Sequence, residues 1–255
     1  MGDVPYSQPQ ANLLEGMIDR INAEPLAFVV HVGDITSGRG PCGDDWLEAR
    51  RDQFGRFRAP FVLLPGDNEW TDCHREGFDP LERLAKWRSL FCSSFSAFPL
   101  ERQKGKYCEH VRWEHDGVVF AGLNVPGSNN NLPRDPAEHG ERMQAVFAWL
   151  DEAEALARTR GGLVVLMQAN PFVSRRVGAD GYEALRARLG RLAQALPGRV
   201  LLVHGDTHGY RDDEPLPGLR RVEVYGWPQL RWLKARVTPG GARLFEVELV
   251  RDVGR

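Results

Sequence analysis

The chain is predicted to be an α/β protein: two packed mixed sheets flanked by helices. Three observations carry that prediction. Short apolar runs alternate with stretches whose apolar residues recur at helical spacing, and extra strands cluster in the middle and at the end. Several runs have almost no polar interruption, as strands buried on both faces do. Three of them, in FVVHVGDI, FVLLPGDNEW and VLLVHGDTH, stop abruptly in Gly with carboxylate or imidazole, and a fourth, in LVVLMQANP, stops in Gln168 and Asn170. Polar side chains delivered to the rim of a sheet stand where open α/β sheets bind ligands.

The elements follow in chain order. Residues 8–23 are predicted helical, because Leu13, Leu14, Met17, Ile18 and Ile21 recur at helical spacing. Ala27 to Val32 is a strand, and residues 37–43 are a Gly/Pro loop. Residues 44–57 return to helix, and Phe61 to Leu64 is the next buried strand. Residues 70–79 are a polar loop, and Pro80 to Phe91 is a helix with proline in its first turn. Residues 107–115 and 118–125 flank Asp116-Gly117, a two-residue hairpin signal. Gly127 to Asn131 is an amide-rich loop. Asp135 caps a helix that begins at Pro136 and stops at Gly161. Leu163 to Met167 is a strand, residues 180–196 a helix, and Val200 to Val203 a strand. Arg221 to Tyr225, Leu230 to Val237 and Arg243 to Val250 are strands, the last two joined by Pro239-Gly240-Gly241. No composition break marks a linker, so residues 1–255 are taken as one domain.

Composition narrows the function. With 42% hydrophobic and 27% charged residues, the chain can bury a core without a disulfide or metal staple. A formal charge of -2 argues against coating nucleic acid and is compatible with a small anionic substrate. The longest apolar runs are strand length, so no membrane span is expected. Met1 is followed at once by Gly2-Asp3-Val4-Pro5, with no signal peptide. The other Gly-Asp pairs follow an apolar run and this one follows nothing. A first strand is therefore expected to be missing ahead of it, and an export signal with it is left open. As the chain stands it reads as cytoplasmic, and as exported if such a signal preceded it. The four cysteines form no C-x-x-C pair, which argues against structural zinc. Cys42 and Cys73 follow loops over the same sheet edge, so contact between them and two free buried thiols are both compatible with the sequence.

The strand ends together offer Asp3, Asp34, Asp67, Asn68, Gln168, Asp206 and His208. Carboxylates gathered at one edge repel one another unless a cation neutralises them. A pair of divalent ions sharing a carboxylate is a standard solution for phosphate-ester hydrolysis. In order and spacing, Gly2-Asp3, Gly33-Asp34, Gly66-Asp67-Asn68-Glu69, Gln168 and Gly205-Asp206-Thr207-His208 resemble the calcineurin-like metallophosphoesterases. That family's pattern is Asp-x-His, Gly-Asp, Gly-Asn-His-Asp/Glu, a lone His, then Gly-His-x-His. The resemblance implies a four-layer αββα sandwich, here expected without its first strand, and a two-metal site. By it, Asp34 bridges the ions; Asp3 and His208 belong to metal 1; Asp67, Asp206 and Gln168 belong to metal 2. Pro5 stands at the first motif's His position and cannot ligate. Asn68 stands at the acid-like His, where it positions phosphate but cannot protonate a leaving group at neutral pH. The runs GDVPYS, GDNEWTDCH and HGDTHGYR look like a subgroup with its own motifs.

Two consequences follow. The donors are mostly oxygen, so Mn²⁺ or Mg²⁺ is favoured over Zn²⁺ or iron. The missing acid is left to His74, His204 or metal-bound water, and substrates with good leaving groups suffer least. His204 and His31 read as core residues or as groups behind the ligands. Asn170 competes with Gln168. Arg175, Arg176 and Arg211 follow strand ends and suit a phosphate, although exposed arginine is the default. The expected activity is metal-dependent hydrolysis of a small phosphomonoester or phosphodiester. The alternative is a degenerate member that binds metal or a phosphorylated ligand without catalysis; a nuclease is disfavoured by the charge.

Overall fold

The computed structural model of the protein describes residues 1–93, 99–173, 178–239 and 243–250. Gly240 and Gly241 of the expected final turn lie outside the described residues. The first outer layer is α1 (Gln8–Asn22), α2 (Asp44–Phe54) and α3 (Pro80–Phe91). Helix α1 starts where the sequence punctuates it, with the Ser7 hydroxyl accepting the Gln10 N–H and proline in the first turn. Its buried stripe of Leu14, Met17, Ile18 and Ile21 packs with Val29, Phe61, Leu63 and Trp87 in one apolar cluster.

That cluster covers one face of β1 (Val29–His31) and β2 (Phe61–Leu63), which pair in parallel. Residues Met1 to Asp3 run along the other side of β1. The Val32 N–H donates to Met1 O (2.9 Å) and the Asp3 N–H to Gly33 O (2.9 Å). Asp3 is thus tethered at the same rim as Asp34, rather than loose as a missing strand would leave it.

The second sheet has seven strands, ordered β3-β4-β5-β6-β7-β9-β8. They are β3 (Glu101–Arg102), β4 (Val111–His115), β5 (Val118–Gly122), β6 (Gly162–Leu166), β7 (Val200–His204), β8 (Arg211–Leu216) and β9 (Leu219–Glu223). Strands β5, β6, β7 and β9 are mutually parallel and the outer pairings are antiparallel. A ribbon of β10 (Leu233–Val237) and β11 (Phe245–Leu249) completes the strands. Between the sheets lies a second cluster: Val62 and Leu64 meet Val111, Phe120, Val164, Leu201 and Val222. The far face of the large sheet packs on α5 (Pro136–Ala157) and α6 (Glu183–Ala195) through Val146, Trp149, Leu150, Leu189 and Leu192. Three apolar clusters separate four layers, αββα.

Three local differences have physical causes. Strand β8 went unread because RDDEPL has no apolar alternation. It is an exposed edge strand whose Asp212 and Asp213 pair with Arg220 and Arg221 of β9 at 2.7 and 2.5 Å. Residues 107–110 make a turn, closed by the His110 N–H on Tyr107 O (3.0 Å), instead of extending β4. The amide-rich loop contains α4 (Gly127–Asn130), a left-handed turn in which Ser128, Asn129 and Asn130 all have positive φ. All four cysteines are paired: Cys42 with Cys73, and Cys92 with Cys108. Among the described residues no helix is long and apolar enough to cross a membrane.

Candidate active site

The ends of β1, β2, β5, β6 and β7, with Met1 to Asp3, open onto one edge. Asp3, Asp34, Asp206 and His208 sit there with φ of 55°, 62°, 83° and 62°. A side-chain-bearing residue in that region costs roughly 1–3 kcal/mol and persists only where its surroundings fix it. Four such residues converging on one place mark a constrained site. Two glycines make the approach close enough. A Cβ at Gly66 would lie 2.0 Å from Asp34 Oδ1, and one at Gly205 would lie 2.1 Å from Asp3 Oδ2.

Backbone and amide donors aim the carboxylates. Asp3 Oδ1 accepts the Asp206 N–H (2.9 Å). Asp34 Oδ1 accepts the Asn68 N–H (3.2 Å), and its Oδ2 accepts Gln168 Nε2 (3.1 Å) and the Tyr6 hydroxyl (3.1 Å). The Tyr6 oxygen also lies 3.0 Å from His208 Nε2, which is 3.8 Å from Asp3 Oδ1. On the other side, the Ser128 hydroxyl lies 2.7 Å from Asp67 Oδ2 and 2.8 Å from Asp72 Oδ1. Asp206 Oδ2 accepts the Asn170 N–H (2.8 Å).

The family model for calcineurin-like phosphoesterases matches residues 2–210. The chain belongs to that family. It is accordingly a metal-dependent hydrolase of phosphate esters. The phosphoesterase is similar in fold to a dimetal phosphatase from Danio rerio: 14% identity, 99% of this chain and 91% of that one covered, TM-score 0.56. It is also similar to GAP50 of Plasmodium, the anchor in the inner membrane complex, with 13% identity, 91% and 71% covered, TM-score 0.57. Comparison with curated protein sequences found no match.

The electrostatics of the phosphoesterase site fit cations. Asp3, Asp34 and Asp67 are buried, and burial pushes each carboxyl well above its usual range. Other carboxylates push the same way: Asp206 and Glu223 on Asp3, Asp67 and Glu69 on Asp34, Asp206 and Asp72 on Asp67. Asp3 Oδ2 is buried without a hydrogen-bond partner. A bound cation relieves both the repulsion and the orphaned oxygen. Burial lowers the His208 pKa, with a bond to the Trp227 backbone opposing it, so the ring is neutral as a ligand must be. Among the described residues, three donor atoms from His, Cys, Asp or Glu fall within 4.8 Å of one another only at Cys92, Cys108 and Glu109, where the sulfurs form a disulfide. At the strand ends the predicted ligands are instead held apart by Tyr6, Gln168, Ser128 and backbone N–H groups.

Each predicted residue has a definite place. Gln168 is at the strand end, but its Nε2 faces Asp34 and its Oε1 accepts the Gly127 N–H (2.6 Å). Asn68 gives one amide hydrogen to Thr36 O (2.9 Å). His204 lies behind the predicted ligands, fully buried, with Nδ1 on Gly205 O (2.8 Å) and a pKa lowered by burial to about 3. It is out of reach as a leaving-group acid. Arg211 is half-exposed and paired with the buried Glu223 at 3.0 Å. Asn170 supports Asp206 rather than replacing Gln168. Arg175 and Arg176 lie outside the described residues. Sequence reasoning missed the roles of Tyr6, Ser128 and Glu69. Glu69 accepts the N–H groups of Gly66 (2.7 Å), Asp34 (3.2 Å) and Ile35 (3.4 Å), tying two of the loops together. Tyr6 and Glu69 lie inside the quoted motifs GDVPYS and GDNEW, a signal that had no geometry attached to it.

Proposed function

We propose that this phosphoesterase hydrolyses a small phosphomonoester or phosphodiester with two divalent cations, Mn²⁺ or Mg²⁺ before Zn²⁺ or iron. The observation that carries the reading is the set of buried carboxylates Asp3, Asp34 and Asp67, whose strongest charged neighbours are further carboxylates. When bound, the cations activate water and offset charge on phosphate oxygens. Asp3 and His208 serve one ion, Asp67 and Asp206 the other, and Asp34 lies between them. Gln168 orients Asp34 through its Nε2 while holding the Gly127 backbone. Asn68 keeps a second amide hydrogen for a phosphate oxygen, and Arg211, anchored on Glu223, faces the anionic substrate from the rim. Because neither Asn68 nor buried His204 can protonate a departing alkoxide, esters with good leaving groups are preferred.

Pairing of all four cysteines supports placing the protein in an oxidising compartment. Thiol alkylation of protein taken directly from its source should label nothing before reduction; ready labelling would remove this placement.

A panel of nitrophenyl phosphate and bis-(nitrophenyl) phosphate, each with Mn²⁺, Mg²⁺ or Zn²⁺, tests the reaction. Turnover that Asp34→Asn abolishes is the expected result. Metal uptake without turnover of either ester, or full activity in Asp34→Asn, would overturn the proposal.

A further inference from the structure

Pro5 leaves the family's first histidine position without a donor, yet the next residue brings one to the same place. The Tyr6 hydroxyl oxygen sits 3.1 Å from Asp34 Oδ2 and 3.0 Å from His208 Nε2, and this side of the site also holds Asp3. The phenol oxygen thus lies within hydrogen-bond distance of two predicted ligands of one ion, and carries lone pairs of its own that a cation can take. The separations of the Tyr6 oxygen from Asp34 and His208 match those of neighbouring donors on one ion, which stand about 3.0 Å apart when set at right angles with bonds of about 2.1 Å. The ring is also placed by packing, edge-to-face on His208 with centroids 5.4 Å apart.

We propose that Tyr6 is itself a metal ligand, its phenol oxygen sharing an ion with Asp3, Asp34 and His208 in place of the imidazole absent at Pro5. On ligation the hydroxyl O–H bond breaks, its proton leaves to solvent, and the oxygen bonds the ion; no electron is transferred. The inference rests on the two-cation reading above, so its test separates the two.

The test is titration of metal-free protein with Mn²⁺, followed by calorimetry and by the ultraviolet difference absorption of a deprotonated phenol. Wild type is expected to bind Mn²⁺ with a phenolate signal that saturates with the first ion. Tyr6→Phe is expected to lose that signal and bind the first ion about 10–100-fold more weakly. Tyr6→His, which restores an imidazole, is expected to recover binding without the signal. Thermal unfolding of the metal-free variants establishes that each is folded; a misfolded Tyr6→Phe leaves the wild-type signal and Tyr6→His to decide. Wild type that binds Mn²⁺ with no phenolate signal, or Tyr6→Phe that binds as tightly as wild type, overturns the role of Tyr6 and leaves the two-cation reading standing. Wild type that takes up no divalent ion overturns both.

Discussion

The two disulfides are expected to contribute similarly to stability and very differently to catalysis. Cys42 lies in the loop after Asp34, and Cys73 in the turn after Asp67 and Asn68. Their sulfurs stand 3.5 and 3.3 Å from the Asn68 carbonyl oxygen. Cys92 and Cys108 instead join the end of α3 to the segment before β4, and none of the predicted ligands lies between them. Sequence separations of 31 and 16 residues give chain-entropy stabilisations of about 4 and about 3 kcal/mol. Replacing either pair with serine should therefore shift guanidinium unfolding by nearly equal free energies. Function should not follow that equality. Without Cys42–Cys73 the Asp34 and Asp67 loops are joined by hydrogen bonds alone, among them those of Glu69 and of Asn68, and a 1 Å misplacement of a reacting group can cost about 100-fold in rate. Hydrolysis of bis-(nitrophenyl) phosphate with Mn²⁺, assayed where both variants are fully folded, should drop at least about tenfold for Cys42→Ser/Cys73→Ser. It should stay close to wild type for Cys92→Ser/Cys108→Ser. Equal activity losses in the two variants would refute the argument that the first disulfide acts on the site.

Gly205→Ala should displace Asp3, because the new Cβ would lie 2.1 Å from its Oδ2. The expected cost is about 1–3 kcal/mol of stability with loss of bound metal and turnover, read by unfolding and elemental analysis; retained metal would argue that Asp3 is not a ligand. Adding Mn²⁺ to metal-free protein should stabilise it by about 2.7 kcal/mol at one hundred times Kd, and Asp206→Ala should reduce the rise in Tm. No rise in wild type would contradict the site. His31 donates Nε2–H to Val4 O (2.8 Å) and accepts the Gly33 N–H on Nδ1 (3.2 Å), and burial holds its pKa near 3, from 6.5. The folded chain therefore binds fewer protons at His31 than the unfolded chain between about pH 3 and 6.5. Its contribution to stability is complete above 6.5 and falls by up to ~1.4 kcal/mol per pH unit as acid is added. The raised carboxylates act in the opposite sense, so the measurement is the difference between wild type and His31→Gln. Parallel stability–pH curves for the two would rule out the buried neutral imidazole.

The layers and the rim were legible because they rest on local signals. Uninterrupted apolar runs such as FVLL and VLLV, strand length and followed closely by glycine, read as buried strands, and those glycines, Gly66 and Gly205, make the close approaches at the rim. The cap at Asp135 and prolines in the first turns, Pro80 and Pro136, fixed helix starts. What was illegible depends on distant partners. RDDEPL becomes an edge strand because Arg220 and Arg221, eight positions on, neutralise Asp212 and Asp213. Tyr6 looks like an ordinary residue before a helix until folding carries it to Asp34, 28 positions away, and His208, 202 away. Spacing placed Gln168 at the correct strand end. It could not show that the amide would turn its donor side toward Asp34, because that depends on Gly127 supplying an N–H to the other end.

The exchange of histidines for oxygen donors has a structural corollary. An imidazole is oriented by one bond from its second nitrogen, but a carboxylate has two oxygens and needs more constraint. Two buried glutamates provide it by holding the loops from below. Glu69 gathers the N–H groups of Gly66, Asp34 and Ile35. Glu223 takes the Thr207 N–H (3.2 Å), the Thr207 hydroxyl and Asn170 Nδ2 (3.3 Å), fixing the loop that carries Asp206 and His208. Neither glutamate is proposed as a ligand, yet each stands beneath a strained residue that is, Asp34 at φ 62° and Asp206 at φ 83°. The strain is sustained because backbone N–H groups of the strained segments end on buried carboxyl oxygens, where leaving them unmade would cost about as much as the unfavourable φ or more. An oxygen-rich site on this fold thus needs acidic residues of two kinds, those that face the ion and those that fix the loops.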